Sequence, residues 1–123
     1  MKPEHDFGKS FGYAFRGIVT AWRKGYNLRV QSAAGVLAVV LGLAFGISLV
    51  EWCAVVVCIG AVIGGECMNT ALEDAVDLAN PEVHPLAKSA KDMAAGAVLV
   101  MSIASAVIGI IIFLPRILSA LGV

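Results

Sequence analysis

Three long apolar runs constrain this chain more than any other feature of its sequence. The first extends from Ala33 to Val50 without a charge, the second begins at Trp52, and the third extends from Met93 to Leu114. A helix needs about 20 mostly apolar residues to cross the roughly 30 Å hydrocarbon core of a bilayer. With 59% hydrophobic residues in 123 positions, the chain is also far more apolar than a soluble domain of its size. The sequence therefore predicts a single all-α membrane domain over residues 1–123, with spans at about 30–50, 52–78 and 90–114.

The charged residues predict how these spans are oriented. Nine cations and nine anions cancel over the whole chain, but they are unevenly placed. Cations gather before the first span, at Lys2, Lys9, Arg16, Arg23, Lys24 and Arg29, and between the second and third, at Lys88 and Lys91. Only Glu51 lies between spans one and two, and only Arg116 follows span three. Since positive segments remain in the cytoplasm, we expect a multi-pass protein with its N-terminus inside and its C-terminus outside.

The segment before the first span has the pattern of an amphipathic helix. Its large apolar residues recur at steps of three and four, at Phe7, Phe11, Phe15, Ile18 and Trp22. Such spacing puts them on one helical face, with the cations on the other. A helix of this kind is suited to the headgroup layer of an anionic leaflet, so we expect a surface helix at about residues 5–25. The alternative is a soluble helix that packs on a partner protein.

Polar residues enter the second span in the stretch GGECMNTALEDAVD, residues 64–77. Glu66, Asn69, Glu73 and Asp77 have helical offsets of zero, three, seven and eleven, which place them on one narrow stripe, whereas Asp74 turns away from it. A charge within a span costs about 2.5–3.5 kcal/mol by insertion scales, and is usually retained for a function. The stripe therefore predicts a functional site near the cytoplasmic edge of the membrane.

The residue types of the stripe favour phosphoryl transfer. Carboxylate oxygens are suited to Mg²⁺, which takes one or two carboxylates together with water and substrate phosphates. A carboxylate set deeper in the membrane can accept a proton from a lipid hydroxyl as a general base. Lys91 and Asp92, at the mouth of span three, add a cation for phosphate and a further acid. No GxxxxGK[ST] loop is present, so a soluble-type nucleotide fold is not expected. The same acidic stripe also fits a non-enzymatic oligomer that conducts cations or organises the membrane.

These motifs resemble the bacterial membrane-integral diacylglycerol kinase and undecaprenol kinase family. The resemblance rests on ExxNTALExxVD, here Glu66 to Asp77, and on ExHPLAKxAKDxAAGAVL, here Glu82 to Leu99. Upstream, GYAFRGIVTAW from Gly12 to Trp22 is similar to the surface helix of the family. The HPLAK and AAGAVL motifs resemble those of the subgroup typical of Gram-positive bacteria, whose members favour undecaprenol.

The resemblance implies roles for individual residues. Glu66 matches the candidate base that activates the lipid hydroxyl, and Glu73 matches the glutamate that holds the metal bridging the ATP phosphates. The polar site is completed by residues that match Asn69, Asp77, Lys91 and Asp92. All of these except Asp92 are expected to contact the nucleotide, and so is Glu73. The remaining nucleotide contacts match Lys9, Tyr13, Glu82 and His84. The family also implies a homotrimer with composite sites between subunits, ATP and Mg²⁺ as required components, and no nucleic acid partner.

One position departs from the family pattern. Members usually carry a second metal-binding glutamate shortly after the surface-helix tryptophan, and the matching position in AWRKGYNLR is Gly25. The expected function is ATP- and Mg²⁺-dependent phosphorylation of a membrane lipid alcohol in the bacterial cell membrane, with undecaprenol first and diacylglycerol second. Because of Gly25, a homologue that binds nucleotide with little or no turnover is a further alternative.

Overall fold

Residues 6–123 fold into four helices. The structure, a computed structural model, describes residues 6–123. Its elements are α1 (Phe7–Lys24), α2 (Tyr26–Phe45), α3 (Leu49–Ala79) and α4 (Pro85–Ala120). The last three are long and apolar enough to cross a membrane, which agrees with the three predicted spans. The all-α class is thus confirmed, while the predicted start of the first helix at residue 5 lies outside the described residues.

Local sequence signals fix the ends of the helices. Asp6 accepts a hydrogen bond from Gly8 N at 2.9 Å and so caps α1. Gly46 ends α2 in the left-handed conformation, with φ 62°, where a Cβ would be strained. Two residues later Ser48 and Glu51 form a reciprocal capping box that begins α3. The turn between α2 and α3 is therefore short and specified by the sequence.

The helices do not end where the predicted spans end. The second helix begins at Tyr26 rather than near residue 30, and α4 runs from Pro85 to Ala120 rather than from about 90 to 114. Helices can extend past the hydrocarbon, since their backbone hydrogen bonds are internal on either side of the boundary. Pro115 lies inside α4 and does not terminate it.

Packing is closest between α3 and α4, and α2 packs mainly on α3. One buried apolar cluster joins the three, and consists of Ile47, Val55, Ile112 and Phe113 with Trp52 against its side. At this end of the bundle Gly42 lets the Trp52 ring approach the α2 backbone closely. The same end carries an ion pair between α3 and α4, in which both nitrogens of the Arg116 fork donate to Glu51 at 2.8 Å.

A single chain buries little of its apolar surface. Val36, Leu43, Val56 and Ile111, for example, are all exposed on the three long helices. Such faces fit hydrocarbon, or further copies of the chain, rather than water.

Candidate active site

The polar stripe predicted on α3 is held together by two contacts. Asn69 Nδ2 donates to Glu73 Oε1 at 3.1 Å, one helical turn away. Further along the helix, Asp77 accepts a hydrogen bond from Lys91 of α4. Asp74 points away from the stripe, as the helical spacing predicts, and pairs with Lys24 of α1. In the C-terminal half of α3, one face therefore contacts α4 and another contacts α1.

Glu66 is the deepest member of the stripe. It is 4% exposed, and it is the one charged residue that is buried among residues 6–123. Within the same residues no hydrogen bond or ion pair is formed by its carboxylate. A buried charge without a partner is costly, so such a group is usually retained for a function. It lines a cavity of about 270 Å³ between α2, α3 and α4.

A second polar group in this cavity also has no partner in the described part of the chain. Asn69 lines the cavity, and its Oδ1 is buried without a hydrogen bond, although its Nδ2 is bound to Glu73. Buried polar atoms nearly always have a partner, so the one for Asn69 Oδ1 has to come from outside the described contacts: from water, a ligand or another copy of the chain. Glu66 and Asn69 thus leave acceptor atoms available to a molecule in the cavity.

The two residues predicted at the mouth of span three have different surroundings. Lys91 contacts the stripe through Asp77. Asp92 pairs with Lys88 on its own helix at 2.6 Å, and both side chains are largely exposed. Among the described contacts, Asp92 is therefore next to the site along α4 without touching α3.

The four expected nucleotide contacts outside the stripe and Lys91, namely Lys9, Tyr13, Glu82 and His84, lie on the exposed parts of the subunit. The Tyr13 ring is covered by the Arg16 guanidinium at 5.3 Å, and Lys9 lies one turn earlier on α1. Glu82 is exposed in the connection before α4, and His84 caps that helix by accepting from Leu86 N at 3.0 Å. Over residues 6–123, no side-chain hydrogen bond or ion pair joins these four to the stripe. One subunit alone does not gather the full predicted nucleotide site.

Gly25 lies where α1 turns into α2, beside the stripe. A Cβ built on Gly25 would be 3.8 Å from Thr70 Oγ1 on α3 and 3.1 Å from the Ala21 carbonyl oxygen. A longer side chain at this position would therefore start next to the face that carries Asn69 and Glu73. As the chain stands, the part that the structure describes contains no group of three His, Cys, Asp or Glu residues that could hold a metal ion. The residues fit Mg²⁺ that arrives with its own phosphate ligands better than a resident metal.

The structure adds three polar cavity residues that the sequence did not predict, namely Asn27, Gln31 and Ser102. Gln31 Nε2 of α2 donates to Ser102 Oγ of α4 at 2.8 Å, and the bond is half-buried. Helical spacing contained a signal for Ser102, because it follows Lys91 by eleven residues and so shares its face of α4. The packing of α2 against this face could not be obtained from spacing.

Comparison with known proteins gives consistent matches along most of the chain. The family model described as prokaryotic diacylglycerol kinase matches residues 12–113. An undecaprenol kinase of Bacillus subtilis is 43% identical over 110 residues, which are 89% of each chain. A diacylglycerol kinase of Synechocystis is 36% identical over 89% of this chain and 63% of its own length. A diacylglycerol kinase of Escherichia coli is 30% identical over 80% of this chain and 81% of its own.

Proposed function

Because this chain belongs to the prokaryotic diacylglycerol kinase family and is a lipid kinase, we propose that it transfers the γ-phosphoryl group of ATP to undecaprenol. The relative from Bacillus subtilis, an undecaprenol kinase, supports this acceptor. Diacylglycerol is the second candidate acceptor, since several other relatives are diacylglycerol kinases. Either reaction forms a phosphate ester on a lipid alcohol and releases ADP.

The buried, unpartnered carboxylate of Glu66 carries the proposal. It lines a cavity at the depth of the apolar helices, where a lipid hydroxyl can arrive from the bilayer. In the proposed reaction Glu66 accepts the hydroxyl proton as the lipid oxygen attacks the γ-phosphorus, and the bond from that phosphorus to the ADP oxygen breaks.

The rest of the stripe serves the phosphates of ATP. Glu73, oriented by the hydrogen bond from Asn69, would ligate the Mg²⁺ that enters with ATP and neutralises charge on the phosphate oxygens. Lys91 lies at the same edge and adds a cation, which in the free subunit is paired with Asp77. Asp92 would join them as the outermost acid of the site.

The nucleotide side of the site is completed by other subunits in this proposal. Lys9, Tyr13, Glu82 and His84 make no polar side-chain contact with the stripe within the described residues of one chain, and large apolar faces remain uncovered. A homotrimer with composite sites would address both observations. We further propose that α1 lies on the cytoplasmic leaflet, with the N-terminus inside and the C-terminus outside.

Purified protein in mixed micelles of detergent and lipid tests the proposal. Undecaprenol and diacylglycerol are offered in parallel with Mg-ATP labelled in the γ-phosphate, and labelled lipid is counted. We expect both Glu66→Gln and Glu73→Gln to lower kcat by about 100-fold or more, the scale of a lost acid-base or electrostatic group. Asp74→Asn is the matched control, because this carboxylate is on α3 but faces Lys24.

The outcomes separate the candidates. Labelling of undecaprenol in preference to diacylglycerol supports the proposed acceptor. The reverse preference would make diacylglycerol the main acceptor. Labelling that persists unchanged in Glu66→Gln contradicts the role of this residue. If ATP binds and neither lipid is labelled, the chain is a homologue without turnover, which the glycine at position 25 would explain. Ion flux through liposomes without lipid labelling would indicate the conducting oligomer.

A further inference from the structure

We propose that the hydrogen-bonded pair of Gln31 and Ser102 determines acceptor specificity, by allowing the site to bind a glycerol ester as well as a polyprenol. This inference rests on the proposed lipid kinase function and concerns the part of the acceptor next to its hydroxyl. The two residues do not belong to the acidic stripe, since one lies on α2 and the other on α4.

The pair stands between two cavities. The polar cavity of about 270 Å³ contains Glu66 and Asn69, and a second, mainly apolar cavity of about 280 Å³ extends along the same three helices toward Phe113. Gln31 and Ser102 line both. A lipid that placed its hydroxyl at Glu66 and its hydrocarbon in the apolar cavity would therefore pass directly beside the pair.

The two candidate acceptors differ at this point of their structure. Beyond its hydroxyl, a polyprenol is hydrocarbon alone. A diacylglycerol carries two ester groups within a few bonds of its hydroxyl, and these need hydrogen-bond donors when they leave water. The polar cavity has a volume of about 270 Å³, whereas one water molecule occupies about 30 Å³ in the liquid. The cavity therefore has room for such a headgroup.

The pair is able to meet both demands. Because Gln31 Nε2 donates to Ser102 Oγ, one donor and one acceptor are already paired when hydrocarbon lies against them, so a polyprenol leaves fewer polar groups unpaired than two isolated side chains would. The Ser102 hydroxyl proton and the second hydrogen on Gln31 Nε2 are not used by this bond. They supply donors for ester oxygens when a diacylglycerol is bound.

The double variant Gln31→Leu/Ser102→Ala tests this inference, because it removes both partners together and leaves neither unpaired. Ser32→Ala is the matched control, since Ser32 is next to Gln31 on α2 but lines neither of the two cavities. The measurement is kcat/KM for diacylglycerol and for undecaprenol on the same purified preparation. A misfolded fraction would lower both values equally and would leave their ratio unchanged.

We expect kcat/KM for diacylglycerol to fall about tenfold in the double variant, the order of one or two neutral hydrogen bonds. The value for undecaprenol should stay within about threefold, and Ser32→Ala should change neither value beyond that. Equal losses for both acceptors, or no loss for diacylglycerol, would overturn the inference. So would a wild-type protein that phosphorylates only undecaprenol. A wild-type protein that phosphorylates neither lipid refutes the proposed function itself, whereas the other outcomes leave that function standing.

Discussion

The close approach of Gly42 to Trp52 gives a sharp test of the packing that holds the bundle together. In a Gly42→Ala variant the new Cβ would lie 2.7 and 2.9 Å from two ring carbons of Trp52, and 3.1 Å from Ile47 Cδ1. Carbon atoms prefer separations of about 3.5–4.0 Å, so the ring would have to move by roughly 0.8 Å or more. It cannot do so freely, because it packs on the buried cluster that contains Ile47 and Val55.

Two opposing effects decide the size of the change. Overpacking of a well-packed core costs about 1–3 kcal/mol, while replacing glycine by alanine within a helix stabilises by up to about 1 kcal/mol. Gly60→Ala carries the second effect alone, since Gly60 is also helical and a Cβ there meets nothing within 4 Å. The two variants should therefore differ by about 1–3 kcal/mol, with Gly42→Ala the less stable.

Thermal unfolding in one detergent and at one scan rate provides the assay. We expect the midpoint of Gly42→Ala to lie roughly 4–12 °C below that of Gly60→Ala, from about 4 °C per kcal/mol. Kinase activity well below the midpoint should be unaffected, because Gly42 is at the end of the bundle away from Glu66. Equal midpoints for the two variants would refute this account of the α2 and α3 packing.

Three further outcomes are expected. Gly25→Glu should lower the Mg²⁺ concentration that gives half-maximal kinase activity, whereas Gly25→Gln should not; equal Mg²⁺ titrations would show that the position has no part in metal binding. Lys91→Met should lower kcat/KM for ATP by about tenfold or more through loss of a phosphate-binding cation, with Lys24→Met as the control; similar kinetics of the two would exclude that role. Arg116→Met should lower the unfolding midpoint more than the double variant Arg116→Met/Glu51→Met, because only the single change leaves a carboxylate without its partner; the opposite order would contradict a stabilising pair.

Periodicity within one helix was sufficient to predict which polar residues of α3 share a face. The spacing of Glu66, Asn69 and Glu73 placed them on one face, and the structure links Asn69 to Glu73. It also turned Asp74 away from the stripe, and this side chain contacts α1. These results follow from the 3.6-residue repeat, which is a property of the helix itself and needs no tertiary information.

Contacts between helices could not be predicted from the repeat within a single helix. The bond between Gln31 and Ser102 joins positions 71 residues apart and depends on how α2 and α4 are rotated and shifted past each other. Helix ends were missed for a related reason. Hydropathy reports where apolar residues stop, whereas α3 and α4 begin at capping residues, Ser48 and His84, that hydropathy does not detect.

The ion pair of Glu51 and Arg116 has a consequence for how the protein resides in an energised membrane. In the proposed orientation, these are the two charged residues of spans two and three at the outer side. Because they form one bidentate pair, the outer end of the bundle carries no net charge from them. The transmembrane voltage acts on net charge, so it neither pulls this end through the bilayer nor pushes it back. In that orientation, loss of the membrane potential therefore leaves the free energy of this outer end unchanged.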